Sequence, residues 1–94
     1  MYGEEITEQK LSMVGLAEQR LLDLGFSQFR VRIHGSMARI ELDPAEIDRF
    51  MQADIRSEVC AYLHELGFLY VTLDLDGYKT GSMNKVLAEK DLMQ

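Results

Sequence analysis

Arg30, Arg32 and Arg39 are the residues best placed to do chemistry in this chain. They fall within ten consecutive positions that hold no acid until Glu41. A guanidinium is planar and always charged, and its fork matches a phosphate or carboxylate in two parallel hydrogen bonds. Arginines collected on one surface therefore point to an anion clamp. The competing reading is a charge lattice, in which Arg30 pairs with Glu41 and Arg32 or Arg39 with Asp74. Such exposed pairs contribute little to stability.

The other candidates are fewer. Glu18 lies among apolar residues of a helical repeat, four residues from both Val14 and Leu22. It either escapes to solvent at the edge of that arc or pairs with an arginine. If it serves the site, it reaches Arg30 or Arg32, and Glu18→Leu should leave the fold as stable or more stable. His34 flanks a turn beside the arginines and reads as solvated. His64 stands alone on a helix, and no His or Cys lies at metal-ligand spacing, so no metal is expected. Cys60 has no neighbouring base and reads as inert. Nothing here assembles a nucleophile–base pair, so catalytic residues are expected to be absent from this chain.

The arginines must be positioned by a hairpin. Residues 28–42 alternate strictly. Phe29, Val31, Ile33, Ala38, Ile40 and Leu42 fall on one face, and the arginines, His34, Met37 and Glu41 on the other. Gly35-Ser36 suits a two-residue type II′ turn. That turn sets Arg32 opposite Arg39 and Arg30 opposite Glu41. Like charges directly opposite are destabilising, so neighbouring carboxylates or a bound anion must compensate.

The flanking elements follow from caps and periodicity. A helix is expected over 7–24, with Thr7 as N-cap and an apolar arc of Leu11, Met13, Val14, Ala17, Leu21, Leu22 and Leu24. The hairpin strands are 28–34 and 37–42. Asp43-Pro44-Ala45-Glu46 opens a second helix over 44–66, with a kink near Gln52 and Asp54 as a fresh cap. A third strand spans 68–76, with Leu69, Val71, Leu73 and Leu75 on one face and Tyr70, Thr72, Asp74 and Asp76 on the other. A polar tail fills 77–94. Leu21 to Phe26 and Leu63 to Phe68 repeat one helix ending, each with glycine where a left-handed residue belongs. The expected fold is α+β: a two-layer sandwich in the order α-β-β-α-β, with two helices on one face of a three-stranded antiparallel sheet. The third strand lies beside the first, like a ferredoxin-like fold without its first strand.

Composition bounds the rest. Ninety-four residues make one domain, able to bury about 60–65% of its unfolded surface without a disulfide. The net charge is −6, which disfavours broad phosphate-backbone binding. A single cysteine fits a reducing compartment, and no apolar run approaches a membrane span. A cytoplasmic protein with no membrane partner is expected.

Taken in order, the motifs Tyr2-Gly3, Ile6-Thr7, Ala17-Glu18, Leu24-Gly25-Phe26, Arg30-Val31-Arg32, His34-Gly35, Ala38-Arg39-Ile40-Glu41 and Gly67-Phe68 through Gly77-Tyr78 to Gly81-Ser82-Met83-Asn84 resemble a known family. They are similar to the C-terminal domain of the LarE-type ATP-dependent sacrificial sulfur transferases of the PP-loop pyrophosphatase superfamily. The resemblance covers nearly the whole chain. It implies a parent whose N-terminal PP-loop domain uses ATP and magnesium to adenylate a carboxylate of a pyridinium dicarboxylate mononucleotide. A cysteine then gives up its sulfur, and the product feeds synthesis of a nickel-pincer nucleotide. It further implies that positions matching Glu18, Arg30, Arg32 and Glu41 lie near the sulfur-transfer pocket, and that the domain joins oligomer contacts. This chain has no Ser-Gly-Gly-x-Asp-Ser loop, and the donor cysteine would precede Tyr2. Cys60 does not match it by position. The chain is thus expected to be an accessory domain, or a free-standing relative, that is inactive alone and holds no cofactor. Its expected partners are a PP-loop domain, a small anionic substrate and further copies of itself.

Two other readings stand beside this one. The first is an oligomerisation or protein-interaction domain with no ligand site. The second is a KH or ferredoxin-like RNA-binding module. The second is disfavoured by the acidic charge, the lack of a Gly-x-x-Gly loop between helices, and Tyr70 as the lone aromatic of the open face.

Overall fold

A computed structural model describes residues 7–78. Helix α1 spans Glu8–Asp23, strands β1 and β2 span Phe29–His34 and Met37–Leu42, and a 3-10 turn spans Pro44–Glu46. The one-turn helix α2 (Ile47–Phe50), helix α3 (Ala53–Leu66) and strand β3 (Tyr70–Leu73) complete the order. This is the expected α-β-β-α-β succession, and the expected tail lies outside the described residues beyond 78.

Local chemistry shapes each boundary. The Thr7 hydroxyl accepts the Lys10 N–H at 3.1 Å and caps α1. Both long helices end in the same way. Phe26 N–H donates to Leu21 O and Gly25 N–H to Leu22 O, while Phe68 N–H donates to Leu63 O and Gly67 N–H to His64 O. Gly25 and Gly67 have φ of 95° and 119°, the left-handed geometry of a Schellman ending. In the hairpin turn Gly35 has φ of 60° and no non-glycine residue has positive φ. A type I′ turn, which needs two such residues, is excluded, and type II′ fits.

The second helix is broken rather than kinked. Gln52 is extended at φ −60° and ψ 140°, and it, not Asp54, occupies the N-cap position of α3. The Asp54 carboxylate instead accepts the Ile55 N–H. Arg49 braces the break. Its guanidinium bonds Glu46 at 2.6 and 3.0 Å, donates to Leu24 O and Gly25 O, and lies 4.0 Å over the Phe26 ring. One side chain thus ties α2 to the exit of α1.

The sheet order is β1-β2-β3, with β2 in the centre. The hairpin register is as expected, with Arg30↔Glu41 and Arg32↔Arg39. The third strand is not. It pairs with β2, in parallel, from Met37↔Tyr70 to Ile40↔Leu73. The sheet is therefore mixed rather than antiparallel, and the ferredoxin-like likeness holds for the layering only. A helical crossover returns the chain in its starting direction, so β3 can dock directly beside the strand it left. The core-facing residues of β2 (Ala38, Ile40 and Leu42) are wholly buried, as suits a central strand.

Helix α1 packs on β1 and α3 on β3, over a core of Ala17, Leu21, Phe26, Val31, Ile40, Phe50, Val59, Leu63 and Phe68. Two expected core positions, Leu11 and Leu22, are instead 62% and 54% exposed. The arc of α1 is wider than one sheet face can cover, and only the side centred on Ala17 and Leu21 is buried. Leu69 and Leu75 are also exposed, because β3 is shorter than expected and they fall outside it. After β3 the chain turns through Asp74 to Gly77, and Tyr78 N–H donates to Leu42 O.

Candidate functional site

The open sheet face brings Arg32, Arg39 and Glu41 together. Arg32 and Arg39 face each other across the strands, as their register requires. Glu41 lies two residues beyond Arg39 on the same face and is only 9% exposed. One of its oxygens lies 3.5 Å from Arg32 Nε and the other 3.2 Å from Arg39 Nη2. A single buried carboxylate thus bridges the two like charges, which supplies the compensation that their opposition demands. Arg39 Nε also lies 3.9 Å from Asp74 Oδ2, an ion-pair distance too long for a hydrogen bond.

Arg30 stands apart. It is exposed and opposite Glu41 in register, yet it makes no ion pair among the described residues. The charge lattice therefore differs from the expected pairing. Glu41 is taken by Arg32 and Arg39 rather than by Arg30.

Glu18 does not reach Arg30 or Arg32. Its Oε2 accepts the Val31 N–H at 2.9 Å. β1 is an edge strand, so its outward backbone groups have no neighbouring strand. The carboxylate supplies the missing partner for one of them, and Val31 is the residue between the two arginines. Glu18 thereby holds the backbone that carries Arg30 and Arg32. A side chain bonded to a backbone N–H leaves no trace in residue spacing, which is why the sequence pointed to an arginine.

The remaining candidates separate. Cys60 is half-buried and lines a cavity of about 280 Å³ with Ile40, Phe50, Met51, Arg56 and Val71. His64 Nδ1 lies 2.9 Å from Phe68 O, so this histidine serves the helix ending. The Thr72 hydroxyl donates to Ala38 O at 2.8 Å and pins β3 to β2. Among the described residues no cluster of His, Cys, Asp and Glu could hold a metal ion. No helix among them is long and apolar enough to cross a membrane. His34, expected in solvent, has its Nε2 buried without a hydrogen-bond partner. Residue type and turn position gave no signal of that burial.

No family model matches the chain. It is 50% identical over 88 residues to the uncharacterized protein slr1717 of Synechocystis sp. (strain ATCC 27184 / PCC 6803 / Kazusa), covering 94% of this chain and 33% of the relative. It is 44% identical over 91 residues to the pyridinium-3,5-bisthiocarboxylic acid mononucleotide synthase of Lactiplantibacillus plantarum, covering 97% of this chain and 32% of that protein. The chain thus spans about a third of the length of the curated relatives it matches, and is similar to a domain-sized part of proteins that include this synthase.

Proposed function

We propose that this chain acts as the C-terminal accessory domain of an ATP-dependent sulfur transferase of the LarE type, and that its arginine face forms one wall of the pocket for an anionic substrate. The observation that carries this reading is the 44% identity to the synthase along nearly the whole chain. The site chemistry agrees with it. Arg30 makes no ion pair among the described residues, while Glu41 bridges Arg32 and Arg39 and offsets their repulsion. Glu18 fixes the strand between Arg30 and Arg32. Nucleotide activation belongs to a PP-loop domain supplied with ATP and magnesium, and the donor sulfur to a cysteine outside these residues.

The test uses the full-length parent protein. Arg30→Ala and Arg32→Ala should each depress sulfur incorporation into the pyridinium carboxylate, followed by mass spectrometry, while ATP-dependent adenylation persists. Unchanged sulfur transfer in both variants would remove the arginine face from the pocket.

A protein-contact role has one specific observation in its favour. Leu11 and Leu22 are exposed on one flank of α1, with Gly15 between them and nothing within 4 Å of its Cβ position. This stripe fits the surface of another domain. Light scattering of Leu11→Asp/Leu22→Asp in the parent tests it: an unchanged mass and thermal midpoint would exclude a contact there.

A further inference from the structure

The core is not closed over the edge strand β3. Ala38, Ile40 and Leu42 of the central strand are wholly buried, whereas Val71 and Leu73, which pack on the same core, are only half-buried. β3 has no strand on its outer side among the described residues. Beside it, between α2, α3 and the sheet, lies the cavity of about 280 Å³, lined by Ile40, Phe50, Met51, Cys60 and Val71 with Arg56 among them. An apolar cavity of about 150 Å³ takes one benzene-sized group, so this one has room for two aliphatic side chains. Left to water, its lining forfeits packing contacts. Met51 is 49% exposed. Arg56 is exposed too, and its side chain makes no hydrogen bond or ion pair among the described residues.

The chain itself carries a segment that fits. The described residues end at Tyr78, whose N–H bonds Leu42 O. Leu42 lies two residues beyond Ile40, a lining residue, which is a step of about 7 Å along the strand. Val86 is eight residues beyond Tyr78, an extended reach of up to about 26–29 Å, so the cavity is well within range. Lys79-Thr80-Gly81-Ser82 is short and polar, with a glycine suited to turning the chain back. Met83, Val86, Leu87 and Met93 then share one face at helical spacing, with Glu89 and Asp91 on its two flanks. An apolar stripe edged by acids matches an apolar recess edged by Arg56. Residues 1–6 are worse placed, because they lead into α1, which packs on β1, across the sheet from β3.

We infer that residues 83–93 dock over this cavity as the cover of β3, with Val86 and Leu87 inserted beside Val71 and an acid of the segment paired with Arg56. The inference goes beyond the anionic-substrate reading and does not depend on it. Cys60, the single cysteine of the chain, lies beneath the docked segment and reports on it.

Methyl NMR of the intact chain tests this directly. Nuclear Overhauser contacts should join the Val86 and Leu87 methyls to those of Val71, Leu73 and Met51. A mixture of labelled and unlabelled chains separates the occupants. Contacts found only between chains overturn the inference and make the cavity a dimer site. Random-coil shifts for residues 83–93 in the folded chain also overturn it, and leave the cavity to another domain of the parent. Thiol labelling gives an independent measure. Cys60 meets a disulfide reagent when the segment lifts, so its rate follows the undocked fraction. Leu87→Asp should raise that rate about tenfold or more, the loss of one buried leucine, with the amide spectrum of residues 7–78 preserved. Lys85→Asp, off the apolar face, should leave the rate unchanged. No acceleration in Leu87→Asp, or equal acceleration in both variants, overturns the inference.

Discussion

The Glu18 carboxylate closes the outer edge of the sheet by accepting the Val31 N–H at 2.9 Å. This reverses the expected effect of Glu18→Leu. A leucine here would join Leu11 and Leu22 on an exposed flank of α1 and gain little burial. It would strand a half-buried backbone donor, which costs about 1–3 kcal/mol. Glu18→Leu should lower the urea midpoint accordingly. Glu18→Gln keeps an acceptor oxygen and should lose less than half as much.

Among the described residues, Gly77 is the glycine least open to replacement. Its φ is 86°, and a Cβ there would lie 2.5 Å from Leu42 O and 3.0 Å from the Pro44 ring. Left-handed strain alone costs about 1–2 kcal/mol, and the clash adds to it. Gly77→Ala should destabilise the domain by more than about 2 kcal/mol. Gly35 also has positive φ but nothing within 4 Å of its Cβ position. Gly35→Ala should therefore cost only the backbone strain of a type II′ turn, less than Gly77→Ala. Chemical denaturation of the two variants side by side gives the comparison.

Glu41 carries the repulsion between Arg32 and Arg39. Glu41→Gln removes the charge and should cost about 1–3 kcal/mol. Arg32→Gln in that background should restore part of the loss, because the facing pair is then no longer like-charged. The double-mutant cycle reads this coupling. Zero coupling would mean that the bridge contributes no stability.

Arg49 should resist its conservative exchange. It satisfies Glu46 and two carbonyls at once and covers the Phe26 ring. A lysine cannot reproduce the planar fork. Arg49→Lys is expected to lose about 1–2 kcal/mol, measured as a thermal midpoint.

The chain alone should release no pyrophosphate from ATP and magnesium. Turnover by a pure sample would overturn its assignment as an accessory domain.

What was legible in the sequence was local. The hairpin register follows from a two-residue turn, and both helix endings from Leu-Gly-Phe. The partner of β3 was not legible, because Val71 and Leu73 fit the same core beside either strand of the hairpin. Arg32, Arg39 and Glu41 were placed together by alternation, since period two sends them to one face. The contacts that decide their roles were not. Glu18 meets a backbone group, Arg49 bonds two carbonyls far away in sequence, and the Nε2 atom of half-buried His34 is shielded from solvent.

The bond from Tyr78 N–H to Leu42 O carries the contact between β2 and the chain after β3 beyond the last paired residues of the two strands. Because Gly77 approaches Leu42 and Pro44 so closely, residues 77–78 have almost no room to slide. Leu42 ends the strand that carries Arg39 and Glu41. Residues 77–78 are therefore geared to the arginine hairpin, and a shift of β2 along its axis would carry them with it.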